Sequence, residues 1–74
     1  MNILEYDLRI TLAAARVNVG LTQKEVAKKL GISNKTLQSW EKGTSDPSVS
    51  QAETLCSLYR RPMDSIIFLQ TNPT

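Results

Sequence analysis

The chain has 74 residues, of which 41% are apolar and 22% charged, with a net charge of +2, one cysteine and no histidine. That length leaves room for one small core and excludes a second domain, and the composition excludes the disordered class. A lone cysteine excludes an internal disulfide, so the core has to suffice by itself or with a partner subunit.

Five helices and no strand are expected. The first, over residues 7–18, carries Leu8, Thr11, Leu12, Ala15 and Val19 at helical spacing, with Gly20 placed to end it. The second, over 23–30, opens with Thr22 and Glu25 in a T-x-x-E capping box and has Val26, Ala27 and Leu30 as its apolar stripe. Only Gly31, Ile32 and Ser33 separate it from the third, over 34–42. There Ser33 is the expected N-cap, Leu37 and Trp40 are the buried pair, and Gly43 is the stop. After the loop TSDPS, the fourth helix (49–59) has Ser48 and Gln51 as a second capping box and turns Val49, Ala52, Leu55, Cys56 and Tyr59 to one side. The fifth, over 62–68, starts at Pro62 and buries Met63, Ile66 and Ile67. The domain runs over residues 1–69, and residues 70–74 form a frayed tail.

Charge is unevenly distributed. Between Thr22 and Thr44, Lys24, Lys28, Lys29, Lys35 and Lys42 stand against Glu25 and Glu41, leaving that segment at +3. A polyanion footprint has this form, and so does the solvated lysine face of an ordinary small domain.

Two helices joined through three residues make a helix-turn-helix, and the demands on sequence are steric. Gly31 can take the left-handed conformation that a side chain resists. Ala27 is small where the helices approach, and Ile32 can plug back into the core. With Leu37 and Trp40 inward on a 3.6-residue wheel, Lys35, Gln38, Ser39 and Lys42 point away, and Asn34 sits at the flank. A helix with Asn, Lys, Gln and Ser exposed offers the donors and acceptors that read base edges.

QKEVAKKLGISNKTLQSWEKG resembles the helix-turn-helix of the phage repressor and Cro family, also called the XRE family. The matching positions are Gln23, Val26, Ala27, Leu30, Gly31, Ile32, Leu37, Trp40, Glu41 and Gly43. Ala15, Arg16, Gly20, Leu21 and Thr22 are similar to the family's lead-in. Pro47, Val49, Leu55, Met63, Asp64 and Ile66 follow its later pattern. The likeness covers roughly residues 8–69 and implies an all-α, compact five-helix bundle of the lambda-repressor-like kind.

It also implies roles. Gln23 matches a glutamine that bonds a DNA phosphate while helix 2 lies across the backbone. Asn34, Lys35 and Ser39 match positions that reach bases in the major groove. Ser33, Thr36, Lys42, Gly43 and Thr44 match phosphate-contacting neighbours, and Gln38 shares the exposed face. Arg16 and Glu41 match a structural ion pair between helices 1 and 3, the alternative being an incidental surface pair. Arg60 and Arg61 depart from the pattern, standing where the family often has glycine and an apolar residue; a left-handed Arg60 would be strained.

Trp40 is expected in the core and not as a base-stacking platform, and Cys56 is expected as a small buried hydrophobe. Lys28 and Lys29 are expected to face solvent. An enzyme is not expected: without histidine there is no Ser-His or Cys-His arrangement, no Cys/His metal set is present, and no glycine-rich phosphate loop appears. No cofactor is expected. No apolar run approaches the roughly 18 residues that suggest a membrane span, and MNILEYDLR lacks a signal-peptide layout. The resemblance therefore implies a cytoplasmic, nucleoid-associated regulator of transcription, chiefly a repressor. It would bind double-stranded DNA as a homodimer on an operator with two-fold symmetry. The alternative is an antitoxin-like module that binds a protein partner as well as DNA, with the fifth helix and the tail IIFLQ as the docking surface.

Overall fold

Local hydrogen bonding sets the element boundaries. The structure, a computed structural model, describes residues 9–68. Along that span lie β1 (Ile10–Thr11), α1 (Leu12–Asn18), α2 (Gln23–Leu30), α3 (Asn34–Lys42), α4 (Val49–Tyr59), a 3-10 turn (Met63–Ser65) and β2 (Ile66–Ile67). Each α-helix starts at a side-chain cap, because the first backbone N–H groups of a helix have no partner within it. Thr11 Oγ1 accepts from the Ala14 N–H at 3.1 Å, and Ser33 Oγ from the Thr36 N–H at 3.1 Å. Thr22 with Glu25 and Ser48 with Gln51 close both expected capping boxes. The N–H and hydroxyl of Thr22 hold the Glu25 carboxyl below its ordinary pKa.

α2, α3 and α4 run over the expected residues. Helix 1 does not: it begins at Leu12, with Thr11 as its cap and Ile10 extended, so residues 9–11 are not helical. Residues 7 and 8, with Leu8, lie outside the described residues. Val19 is the C-cap and 36% exposed, so it is not part of the buried stripe.

The largest correction concerns residues 62–68. The expected fifth helix is absent, and so is the expected five-helix bundle: the described residues form four α-helices. The Ser65 hydroxyl donates to the Pro62 carbonyl at 2.8 Å, and the Ser65 N–H reaches the same oxygen at 3.0 Å. A side chain that bonds its neighbouring backbone competes with helix propagation. The β-branched pair Ile66–Ile67 then extends and pairs in parallel with β1, Ile10 opposite Ile66 and Thr11 opposite Ile67. Met63 is 38% exposed on the 3-10 turn, whereas Ile66 is buried. The expected frayed tail, residues 70–74, lies outside the described residues.

The core is one cluster: Leu12, Ala15, Val26, Leu37, Trp40, Leu55, Cys56, Tyr59 and Ile66, with Ile10, Leu21, Leu30, Ile32, Leu58 and Phe68 packed around it. Trp40 and Cys56 are both inside, as expected, and the Cys56 thiol donates to Met63 Sδ at 3.8 Å. Burial pushes the Cys56 thiol pKa up, with Glu53 adding to the effect. Leu37 and Val26, fully buried on facing helices, seat α3 on α2; each contributes roughly 2 kcal/mol by leaving water.

Candidate nucleic-acid interface

The turn between α2 and α3 is built on Gly31, the left-handed C-cap of α2 at φ 70°. The Ile32 N–H then returns to the Ala27 carbonyl at 3.0 Å, so the chain leaves α2 and starts α3 within three residues. Ala27 is buried beneath this turn, and Ile32 packs against the core.

Burial of Leu37 and Trp40 fixes which way α3 faces. Asn34 and Lys35 are exposed in its first turn, Lys42 is exposed in its last, and Thr44 is exposed beyond it. Thr36, Gln38 and Ser39 are half-buried. Ser33 is exposed but occupied, since it caps the helix and shares a hydrogen bond with Thr36 Oγ1 at 3.0 Å. The Ser39 hydroxyl donates to the Thr36 carbonyl at 2.7 Å and also pairs with Ser45 Oγ. Thr44 Oγ1 donates to the Ser39 carbonyl at 3.2 Å. Of the residues expected at base edges, Asn34 and Lys35 are therefore presented to solvent, while Ser39 bonds within its own helix and loop.

A polar network fixes the helices to one another. Arg16 of α1 donates from Nε to Glu41 Oε2 at 2.8 Å and from Nη2 to Glu41 Oε1 at 3.3 Å. Its Nη1 holds the Leu21 carbonyl at 2.9 Å. The two charged side chains are 14% and 6% exposed, which separates them from an incidental surface pair. The bond to Glu41 raises the Arg16 pKa further above its ordinary value, against the opposing effect of burial. Gln23, the first residue of α2, donates from Nε2 to Glu41 Oε1 at 2.9 Å. Gln38 reaches Gln23 Oε1 at 3.5 Å. Glu41 thus gathers donors from α1 and α2 onto α3.

The helix-turn-helix family profile matches residues 12–66. The chain belongs to the XRE-type helix-turn-helix family. Among curated relatives, it is 38% identical over 56 residues to the HTH-type transcriptional regulator ImmR of Bacillus subtilis, covering 76% of this chain and 44% of that protein. It is 35% identical over 52 residues to the cryptic phage CTXphi transcriptional repressor RstR of Vibrio cholerae, covering 70% of this chain and 47% of that protein. It is 36% identical over 50 residues to an uncharacterized HTH-type transcriptional regulator of Methanocaldococcus jannaschii, covering 68% of this chain and 76% of that one. The chain spans less than half the length of the first two relatives. No solved structure gives a significant match.

Two features of this helix-turn-helix unit escaped sequence reasoning. Gln23 was expected to bond a phosphate; within the chain it is already held by Glu41, with one amide N–H left over. A glutamine at the first position of α2, eighteen residues before a glutamate in α3, was the available signal. The second is Tyr59, whose hydroxyl is buried without a hydrogen-bond partner among the described residues. Burial pushes its pKa up to about 12, Glu41 adds to this and Arg16 opposes it. Nothing in the sequence distinguishes that hydroxyl from an ordinary apolar-face tyrosine.

Proposed function

We propose that this chain is a DNA-binding transcriptional regulator whose α3 enters the major groove while the N-terminus of α2 meets the phosphate backbone. One observation carries the reading: α3 is pinned on its inner side by Leu37, Trp40 and Glu41, so that Asn34 and Lys35 stand free on its leading outer turn. Asn34 has the groups to bond an adenine in bidentate fashion, and Lys35 can donate to guanine O6 and N7. Ser33 and Thr36 adjoin that turn, Gln23 opens α2, and Lys42 and Thr44 lie at the far end of α3; these would position the backbone without reading sequence. Lys24, Lys28, Lys29, Lys35 and Lys42 are all exposed, which supplies attraction to a polyanion.

The regulator acts as a repressor, the role that its relative RstR carries in its name. It works as a homodimer on a two-fold symmetric operator, placing its recognition helices about 34–36 Å apart, one turn of DNA. None of the described helices is long and apolar enough to cross a membrane. The proposed location is the cytoplasm, on the nucleoid.

Selection of bound duplexes from a random pool at about 150 mM salt tests this, because phosphate attraction alone is weakened there. The expected product is an inverted repeat with half-sites about one helical turn apart. A pool that stays random would overturn sequence-specific recognition, and a single unrepeated site would overturn the dimer.

A further inference from the structure

We propose that Glu41 is a positioning residue for the phosphate contact: it holds the Gln23 carboxamide nitrogen-first, so that Gln23 meets DNA as a preset donor. In this role, which rests on the DNA-binding reading above, Glu41 touches no DNA itself. A carboxamide has two unlike ends of nearly equal shape: the nitrogen donates twice, and the oxygen only accepts. A phosphate oxygen also only accepts, so a glutamine holds a phosphate through its nitrogen alone. An unrestrained glutamine presents either end, and selecting one on binding costs conformational freedom.

The neighbours of Gln23 make that selection in advance. Gln23 Nε2 lies 2.9 Å from Glu41 Oε1. Glu41 is ion-paired with Arg16 and, as a carboxylate, can only accept. An amide oxygen turned toward it would face a second acceptor, so the nitrogen faces it instead. On the other side, Gln38 Nε2 stands 3.5 Å from Gln23 Oε1, a long contact that favours the same orientation. Two α3 residues one turn apart therefore grip the first residue of α2 by opposite ends of its amide. One N–H is left for a phosphate. Gln38, which shares the outer face of α3 on the helical wheel, is half-buried and occupied with this task.

A carboxylate this close to a phosphate-binding amide would by itself repel the phosphate. Arg16 offsets that charge, with Nε on Glu41 Oε2 at 2.8 Å and Nη2 on Oε1 at 3.3 Å. Oε1 thus takes donors from α1 and α2 together. The ion pair has two duties: it ties α1 to α3, and it supplies Gln23 with an acceptor whose charge is already balanced. The first duty acts on the fold, and the second acts on DNA affinity through one side chain, which makes them separable.

The test is a double-mutant cycle in DNA affinity on the full chain: wild type, Gln23→Ala, Glu41→Gln and the double variant. The probe is a labelled duplex of mixed sequence at about 50 mM salt, because a phosphate contact does not depend on sequence. Circular dichroism confirms that each variant is folded at the assay temperature. Glu41→Gln keeps the shape of the side chain, but its single amide oxygen cannot serve both Arg16 and Gln23. It also leaves Arg16 unopposed, which attracts DNA in either background, so the comparison is between backgrounds. Glu41→Gln is expected to cost about tenfold more affinity in the presence of Gln23 than in Gln23→Ala, the worth of one charge-assisted hydrogen bond. Equal effects in the two backgrounds would overturn the proposal alone, as would a Gln23→Ala variant that binds like wild type. A wild-type chain that binds no duplex would overturn the DNA-binding reading and the proposal with it. A measurement on the free wild-type protein needs no variant to fold: the Gln23 Nε2 group is expected to be as rigid as the backbone, with an NMR order parameter of about 0.85. A value below about 0.6 would overturn the preset orientation.

Discussion

Replacing Arg16 with methionine keeps most of the side-chain volume and removes every donor it provides. Glu41, 6% exposed, then loses the two hydrogen bonds from Arg16 and keeps that from Gln23. The Leu21 carbonyl loses its partner as well. Breaking a buried ion pair from one side costs about 3–5 kcal/mol, because the remaining charge stays desolvated. Arg16 is 14% exposed, so water can reach part of the gap, and about 3 kcal/mol is expected. In a domain this small that corresponds to a fall of roughly 15 °C in Tm. Glu41→Met should cost less, about 2 kcal/mol, because Arg16 retains Leu21 and its exposed edge. The double variant should recover most of the loss, since no unpaired charge is left inside. Urea unfolding followed by the fluorescence of Trp40, the single tryptophan and a buried one, gives all three numbers and the coupling energy. A coupling below about 0.5 kcal/mol would refute the reasoning and make the pair a surface decoration.

Gly31→Ala meets nothing within 4 Å of its added Cβ, so its cost is left-handed strain alone, about 1 kcal/mol by chemical denaturation. An unchanged midpoint would show that the turn adopts another conformation. Lys35→Ala should change which duplexes bind best, whereas Gln23→Ala should weaken binding to all duplexes alike; parallel selections would expose either role as wrong. Tyr59 has a folded pKa raised to about 12 from an ordinary 10. The unfolded state therefore loses its proton first, and stability should fall by about 2 kcal/mol between pH 10 and 12. Tyr59→Phe should lack that part of the alkaline loss and be at least as stable at pH 7, since it deletes a buried hydroxyl without a partner. Equal alkaline slopes in the two proteins would contradict this.

Helices α2 and α3 were legible because each carries its own instructions: a cap, a glycine stop and an apolar stripe within about ten residues. α4 has the cap and most of the stripe, but it ends at Arg60 without a glycine, and Val49 of the expected stripe is exposed. The Arg16–Glu41 pair was reached only through the resemblance, because no local pattern joins residues 25 apart. Met63, Ile66 and Ile67 read as a helix since positions i, i+3 and i+4 fit a helical stripe. What decides against it is a strand partner near the other end of the chain, Ile10, which local periodicity does not register. The start of helix 1 was misplaced for the same reason, although Thr11 was a readable cap. At the candidate site the wheel turned Lys35 and Lys42 outward, where they are exposed, but Gln38 and Ser39, which it also turned outward, are half-buried. How the polar residues spend their donors did not follow from the wheel either: Ser39 binds its own turn and Gln23 binds Glu41, choices that depend on distances across the fold.

The ladder between Ile10 and Ile66 has a kinetic consequence. Contacts within and between α2 and α3 join residues close in sequence and can form in microseconds. The ladder joins nearly the two ends of the described chain, and its loop-closure entropy is offset only once the intervening helices have shortened the path. Its order of assembly is therefore last in and first out. The amides of Ile66 and Ile67 should exchange with solvent hydrogen through a partial opening that leaves α2, α3 and Trp40 in place. A helix-turn-helix that stays folded while this ladder opens keeps its turn geometry through that partial opening.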